Sequence, residues 1–382
     1  MQAVTLSLAN KNHKLYKYLN DLGIPGNKTE QYKNFAIKPI LAKEYTLKPT
    51  QNNALDTSVE GSKLVIKNGV VIEYPKGITI TTEDNFDADT SHYDALYYLS
   101  HIIASSVIYI ELKEDAQFEI EHLFDEMKTL LSYRIFIKTA PNTQVELFET
   151  FQTQGSEQSL LLYGVDADIA PDSTLRWIRN ENASADDAVV LGTHYYDVKK
   201  QAAFELKTFD FGSGQALHIY KIDLSDYGWA DAEHLLLATK EARRGNIVAI
   251  NHNKPYAKSV QEARSILKDK ATGIFDGKIL VAHDAKYSNA KQNSKAILLG
   301  EHAHMYAKPQ LEIYTDELEA SHGSTIGQLE EDSLFYLRSR GISLEEARKM
   351  LVLAFADTLI DSVKNRSALK MIHKDFEKSY YV

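Results

Sequence analysis

The 382-residue sequence contains no cysteine. A disulfide framework is thereby excluded, and so is any zinc or iron–sulfur site built wholly from this chain's own thiolates. Soft-metal chemistry would have to borrow its sulfur from another molecule. Long apolar runs are missing too: nothing approaches the roughly 18 residues that cross a bilayer. The apolar start, Met1 to Leu8, is interrupted by Lys11 and Lys14 and is too short for the core of a secretory signal. A cytoplasmic, membrane-free protein is therefore expected. Positive charge is in deficit, with 43 Lys and Arg against 53 Asp and Glu. The resulting formal charge of -10 repels phosphate backbones and argues against a nucleic-acid partner. What is present, 44% hydrophobic and 25% charged residues, is the balance of a folded chain. The length admits two or three domains or one elongated repeat array.

Residues 1 to about 45 read as a small helical unit. Leu15, Tyr18, Leu19 and Leu22 fall on one helical face, and Gly23, Pro25 and Gly26 stop that helix. A polar connector from Pro49 to Ser62 follows. The centre changes period: Val107–Ile110, Ile135–Ile137 and Val145–Leu147 read as short strands, with few helices between them, which disfavours a doubly wound α/β sheet.

A repeat runs through this region. The segments Asp115–Glu119, Asn142–Glu146, Asp172–Arg176, Gln201–Glu205 and Asp231–Leu235 each place a polar turn residue and a small residue before an apolar strand start. The small residues Ala116, Thr143, Ser173, Ala202 and Ala232 recur at intervals of 27, 30, 29 and 30. A near-constant period of this size means stacked units, none of which buries its apolar face alone. The small residue suits a tight inner corner. A right-handed parallel β-helix, or β-solenoid, accounts for the pattern; a large β-sandwich is the alternative.

From about residue 325 the period becomes helical again. Leu329, Leu334, Phe335 and Leu337 mark a helix ended by Gly341. Ser343 to Glu346 forms a capping box, and Ala347, Met350, Leu351, Ala354, Phe355 and Leu359 line the helix that follows. That stripe needs cover from the first helix, the solenoid or a partner.

Enzyme signatures fail. Gly273–Lys278 approaches a phosphate loop but is one spacer short and lacks the hydroxyl that binds magnesium, so it reads as a strand-to-strand turn. Neither Gly-x-Ser-x-Gly nor His-Glu-x-x-His occurs. Glu83, Asp84, Asp87 and Asp89 lack the glycine and terminal glutamate of a calcium loop and read as a solvated loop. His302 and His304, on one strand, would face the same side and could seat a divalent metal, but no third ligand is evident. His322 reads as a junction residue between the last strand and the first C-terminal helix. The 22 tyrosines raise the option of a carbohydrate-binding or carbohydrate-active solenoid, yet they look scattered and no convergent acidic array accompanies them. A standalone, homodimeric binding module is a further option.

The runs Lys308–Tyr314, Ala320–Gly327 and Leu334–Ile342, in that order and spacing, closely resemble the signature of the SufB/SufD family. Phe275–Val281, Gln292–Asn293 and Lys28–Lys33 extend the likeness, with Tyr32 standing where the family usually has tryptophan. Between about 85 and 240 the likeness is one of pattern. Within the family the chain looks like the SufD branch, although Ala320 replaces a cysteine that some members carry two residues before the histidine.

The resemblance implies a parallel β-helix core, residues 46–322, between helical domains at 1–45 and 323–382. It implies a non-catalytic scaffold subunit of an iron–sulfur cluster assembly complex, paired with SufB through the β-helix. The C-terminal helices, with Phe335, Leu337, Arg338 and Arg340, would dock the ATPase SufC. No cofactor would be held stably by the chain alone. A transient iron–sulfur cluster would be shared with SufB, and His322 is the residue that the motif places at that interface as a metal ligand. Neutral imidazole binds iron and is released on protonation, which suits a scaffold that must hand its cluster on. The isolated chain could pair with itself instead.

Overall fold

The computed structural model describes all residues except 1, 6–7, 11–12, 27–28, 48–57, 60–61, 84–93, 105–106, 185–186 and 382. Most of the Pro49–Ser62 connector, Lys28, and Asp84, Asp87 and Asp89 lie outside the described residues.

Among the described residues two eleven-stranded sheets face each other, and from Val107 to Gly327 the chain passes from one to the other strand by strand. The result is a mainly β protein whose core is a β-solenoid of about eight coils, with helices at both ends of the chain. One sheet carries Leu160–Ile169, Val189–Val198, Gln215–Leu224, Arg243–His252, Thr272–Val281 and His304–Ile313 in parallel order. The facing sheet carries Gln144–Gln152, Thr174–Ala183, Ala203–Gly212, Trp229–Ala238, Lys258–Leu267, Ser288–Leu298 and Leu318–Gly327.

Strands in the middle of the stack, such as Leu160–Ile169 and Arg243–His252, are covered on both sides, which is why their buried runs are nearly continuous. Alternation sorts the residues. Leu175 and Trp177 enter the core between the sheets, whereas Ile178 packs outward beneath the C-terminal helices. On the first sheet, Leu160, Leu162, Leu191, Leu217 and Ile219 face outward into a cluster with Leu15, Leu19, Tyr97 and Leu99. The helix Ala95–Ile103 anchors that side. Asp94 caps it, accepting from the amides of Leu96 and Tyr97. In Tyr16–Leu22, Leu19 is buried but Tyr18 and Leu22 are exposed, so the buried face is narrower than the sequence spacing suggests. Tyr18 stacks on Tyr98, ring centroids 5.4 Å apart.

The C-terminal helices Leu344–Ile360 and Arg366–Tyr380 lie on the outer face of the other sheet. Val352, Ala356, Leu359, Ile360, Ile372 and Phe376 pack there against Phe148, Phe209, Phe211, Leu235 and Leu237. The solenoid flank therefore supplies the cover the apolar stripe requires. The buried stripe is rotated from the one expected: Met350 and Ala354 are exposed. Ser343 caps the first of these helices, accepting from the Glu346 amide at 3.2 Å.

The coil corners explain the repeat. Asn142, Asp172, Gln201, Tyr227, Tyr256 and Tyr287 occupy equivalent corners with φ between 57° and 63°. Each N–H donates to a carbonyl one coil on, at Pro171, Lys200, Asp226, Pro255, Lys286 and Glu317 respectively. The next residue, Thr143, Ser173, Ala202, Gly228, Ala257 or Ser288, is small and buried, as an inner corner demands. The second to fourth sequence units match this phase. The fifth does not: Asp231 lies inside the strand Trp229–Ala238, and the corner there is Tyr227–Gly228. The first is also shifted, because Ala116 pairs with Val145 rather than Thr143.

Asn and Asp tolerate the left-handed region; tyrosine does so less readily. The three late-coil tyrosines stack on one another, with centroids 4.7 Å apart for Tyr227–Tyr256 and 5.1 Å for Tyr256–Tyr287. These three thus form an exposed ladder at the coil period.

Candidate functional site

His322 lies inside the final strand, Leu318–Gly327, rather than at its junction with a helix. The strand continues because Thr325 and Ile326 keep pairing with Lys295 and Ala296 of the preceding coil. Parallel pairing sets His322 beside Gln292, which is 3% exposed and directed into the interior. His322 therefore belongs to an interior row, Ala232, Gln261, Gln292, His322, and it is the last rung. Among the described residues no further coil covers it, and its side chain is exposed. The facing strand, His304–Ile313, ends the other sheet. Among the described residues the outer edges of both strands have no strand partner. Tyr306, Ile313, Tyr314 and Ile326 are exposed around this end. Two unpaired ten-residue edges with apolar side chains form a template for another chain's strands.

A second polar constellation lies deep inside the solenoid, and sequence reasoning missed it. Arg179 donates to Asp210 at 2.8 Å, and Arg244 donates to Glu181 at 2.5 Å. His218 Nε2 is 3.0 Å from Glu181, and Arg179 also contacts the His218 ring. All five side chains are essentially inaccessible to solvent. Among the described residues, Glu181, Asp210 and His218 are the one group of three with its ligand atoms close enough for a metal, all within 4.8 Å. Electrostatics oppose that use. Burial alone would raise the Glu181 carboxyl, but the Arg244 guanidinium and His218 hold it well below the usual carboxylate range. Both carboxylates are already neutralised, and a dication would have to displace a guanidinium. Burial holds His194 and His218 below the ordinary imidazole value and brings His234 down to about 3. The network is a charge-balanced core. Its signal in the sequence was Arg179 and Glu181 two residues apart on a strand that otherwise alternates apolar residues inward, visible only once strand parity is fixed.

The other sequence candidates fall elsewhere. His302 sits in the turn before His304, which begins a strand; both are exposed, so they do not share one strand face. Gly273–Lys278 lies within the strand Thr272–Val281 and is not a turn. There Gly277 leaves room for the facing sheet: a Cβ on it would come within 2.2 Å of Gln292 Nε2.

Phe335, Leu337, Arg338 and Arg340 lie on or just beyond the helix Glu331–Ser339, no residue of which is buried. Phe335 is 75% exposed and its neighbour Tyr336 57%. The Arg340 guanidinium lies over the Tyr336 ring, 5.0 Å from its centroid. A groove of about 310 Å³, lined by Lys295, Thr325, Gly327, Leu329, Leu351 and Phe355, runs between the last coils and the C-terminal helices.

Comparison with known proteins places this architecture. Residues 122–355, more than half of the chain, match the family described as SUF system FeS cluster assembly, SufBD core domain. A SufBD family iron–sulfur cluster assembly protein of Synechocystis is 28% identical over 276 residues, covering 68% of this chain and 60% of the relative. The iron–sulfur cluster assembly protein SufD of Escherichia coli is 36% identical over 123 residues, 32% of this chain and 29% of the relative. SufD of Bacillus subtilis is 32% identical over 113 residues, 30% and 26% respectively. The matched regions therefore span less than two thirds of the length of each of these relatives. No described helix is long and apolar enough to cross a membrane. The matched region takes in most of the solenoid, its open end and His322, and on that match the chain belongs to the SufBD core family of iron–sulfur cluster assembly proteins.

Proposed function

We propose that this chain is a non-catalytic scaffold subunit on which an iron–sulfur cluster is assembled as cargo, together with a SufB-type subunit and the ATPase SufC. The observation that carries the reading is the placement of His322 as the last, uncovered rung of an interior row, between two strands whose edges are unpaired. A SufB solenoid adding its own strands there would bury His322 at the junction. The chain has no thiolate, so the sulfur ligands of the cluster come from SufB or from the cluster's own sulfide. A neutral imidazole completes such a site and releases the cluster more readily than a thiolate.

SufC docks on the exposed helix Glu331–Ser339 through Phe335, Leu337, Arg338 and Arg340. An unburied helix carrying exposed aromatics and arginines has the composition of an interface centre. The neighbouring groove lets this helix shift against the last coils, so ATP-driven movement of SufC opens or closes the cluster site.

The test is co-expression with SufB and SufC and purification through this chain. A ternary complex that acquires iron–sulfur absorption, and that loses it without falling apart on His322→Ala, is the expected result. Retention of neither partner rejects the scaffold reading. An unchanged cluster yield from the His322→Ala complex rejects the ligand role. A homodimer joined through the open end would appear as a doubled mass in the absence of SufB.

A further inference from the structure

We propose that Gln292 is the positioning residue for His322: its side-chain oxygen accepts the imidazole N–H and leaves the other ring nitrogen directed at the metal cargo. The inference rests on the reading of His322 as a cluster ligand, but its geometry stands on three independent features.

The first is register. Gln261, Gln292 and His322 are consecutive partners across parallel strands. Their side chains project to the same side at the strand spacing of about 4.8 Å. The second is an unpaired acceptor. Gln292 Nε2 donates to Gln261 Oε1 at 2.6 Å, so the row is already ordered from below. Gln292 Oε1 is buried and has no hydrogen-bond partner. A buried amide oxygen left unpaired is unfavourable, and such groups are rare unless a partner arrives. The next rung is His322. The third is the space made for the amide. Gly277, on the opposite sheet, has no side chain, and a Cβ there would strike Gln292 Nε2 at 2.2 Å. The amide is thereby held in one place, over a glycine, with its oxygen unpaired.

Neutral imidazole carries one N–H and one lone pair, and which nitrogen holds the proton is decided by the partner of the other. Donation to Gln292 Oε1 fixes that choice. Metal-binding histidines commonly have their second nitrogen held in this way, and loss of the holder weakens metal binding. An amide is well suited to the task here. Unlike a carboxylate, it orients the ring without adding negative charge that would favour imidazolium and block the lone pair.

The experiment is imidazole ¹⁵N NMR on the full chain without metal, with the His322 signals assigned by their loss in His322→Ala. One dominant tautomer is expected in the wild type at pH 8. Gln292→Leu should give a mixture approaching that of free histidine. Gly277→Ala, which displaces the amide while leaving the acceptor in the chain, should reproduce the Gln292→Leu spectrum; circular dichroism checks that each variant is folded. A tautomer ratio that is the same in wild type, Gln292→Leu and Gly277→Ala would overturn the proposal. The measurement is made without any cluster, so it separates the two readings. A fixed tautomer together with full cluster yield from His322→Ala would leave Gln292 as a positioner of His322 and remove the ligand role.

Discussion

Arg244 reaches across the solenoid interior to Glu181, Nη2 to Oε1 at 2.5 Å, joining the two sheets through residues 63 positions apart. Both side chains are fully buried. Removing one partner strands the other's charge, at a cost of about 3–5 kcal/mol. Arg244→Met should therefore lower the denaturant midpoint substantially without changing the slope of the transition. Adding Glu181→Leu should restore part of the loss, because a buried pair replaced by apolar groups of similar volume is often tolerated. A double variant less stable than Arg244→Met would show that Glu181 acts chiefly through its other contacts, His218 and Arg179.

Acid should destabilise the protein already in the histidine range, although Asp231, which burial raises to about 6, takes up a proton in the folded state there and offsets part of the loss. Burial lowers His101 and His252 to about 4, where the Arg134 charge also acts on His101, and lowers His234 to about 3. In the unfolded chain these groups titrate near 6.5. Their folded values are depressed, so between pH 6.5 and about 4 the unfolded state binds protons that the folded state does not. Stability is complete above pH 6.5 and falls as pH drops, by about 1.4 kcal/mol per pH unit for each such histidine. Urea midpoints measured from pH 8 to pH 4.5 should show the decline beginning near 6.5. A flat profile to pH 5 would contradict it.

The tyrosine ladder gives a prediction with position dependence. Asparagine is better suited than tyrosine to the φ of 62° at Tyr256. Tyr256, however, stacks on two neighbours, whereas Tyr227 and Tyr287 each stack on one. Each aromatic pair contributes about 0.5–1.5 kcal/mol. Tyr256→Asn should therefore destabilise by about 1 kcal/mol, while Tyr287→Asn should be close to neutral. Equal effects at the two positions would mean that stacking does not offset the backbone conformation.

Phe335→Asp should abolish retention of SufC while leaving both the pairing with SufB and the thermal midpoint of the isolated chain unchanged, because this side chain is 75% exposed and supports no core. Pull-down through this chain, scored separately for each partner, reads the outcome. Loss of both partners together would instead place Phe335 in the SufB contact.

Much of the architecture was legible from residues alone. Asn142, Asp172 and Gln201, each followed by a small residue, mark the corners because an αL turn and a tight inner bend restrict the side chains that fit. The phase was lost at Asp231, since the corners at Tyr227, Tyr256 and Tyr287 use tyrosine, whose compensation is stacking between coils some thirty residues apart. In the C-terminal stripe Ala347 and Leu359 are buried as the spacing predicts, but Met350 and Ala354 face solvent. Periodicity identifies an amphipathic helix, but the sheet against which it packs selects the buried face.

The sequence by itself determined the absence of any thiolate, the solenoid period, the helical ends and the motif containing His322, because these depend on composition and on residues near one another in the chain. Tertiary structure decided which residues share an interior row. Register brings Gln292 beneath His322, and the facing of the two sheets sets Gly277 against Gln292 and Arg244 across to Glu181. Strand parity decides whether each side chain faces the interior or the flanking helices, and parity is fixed only when neighbouring coils pair.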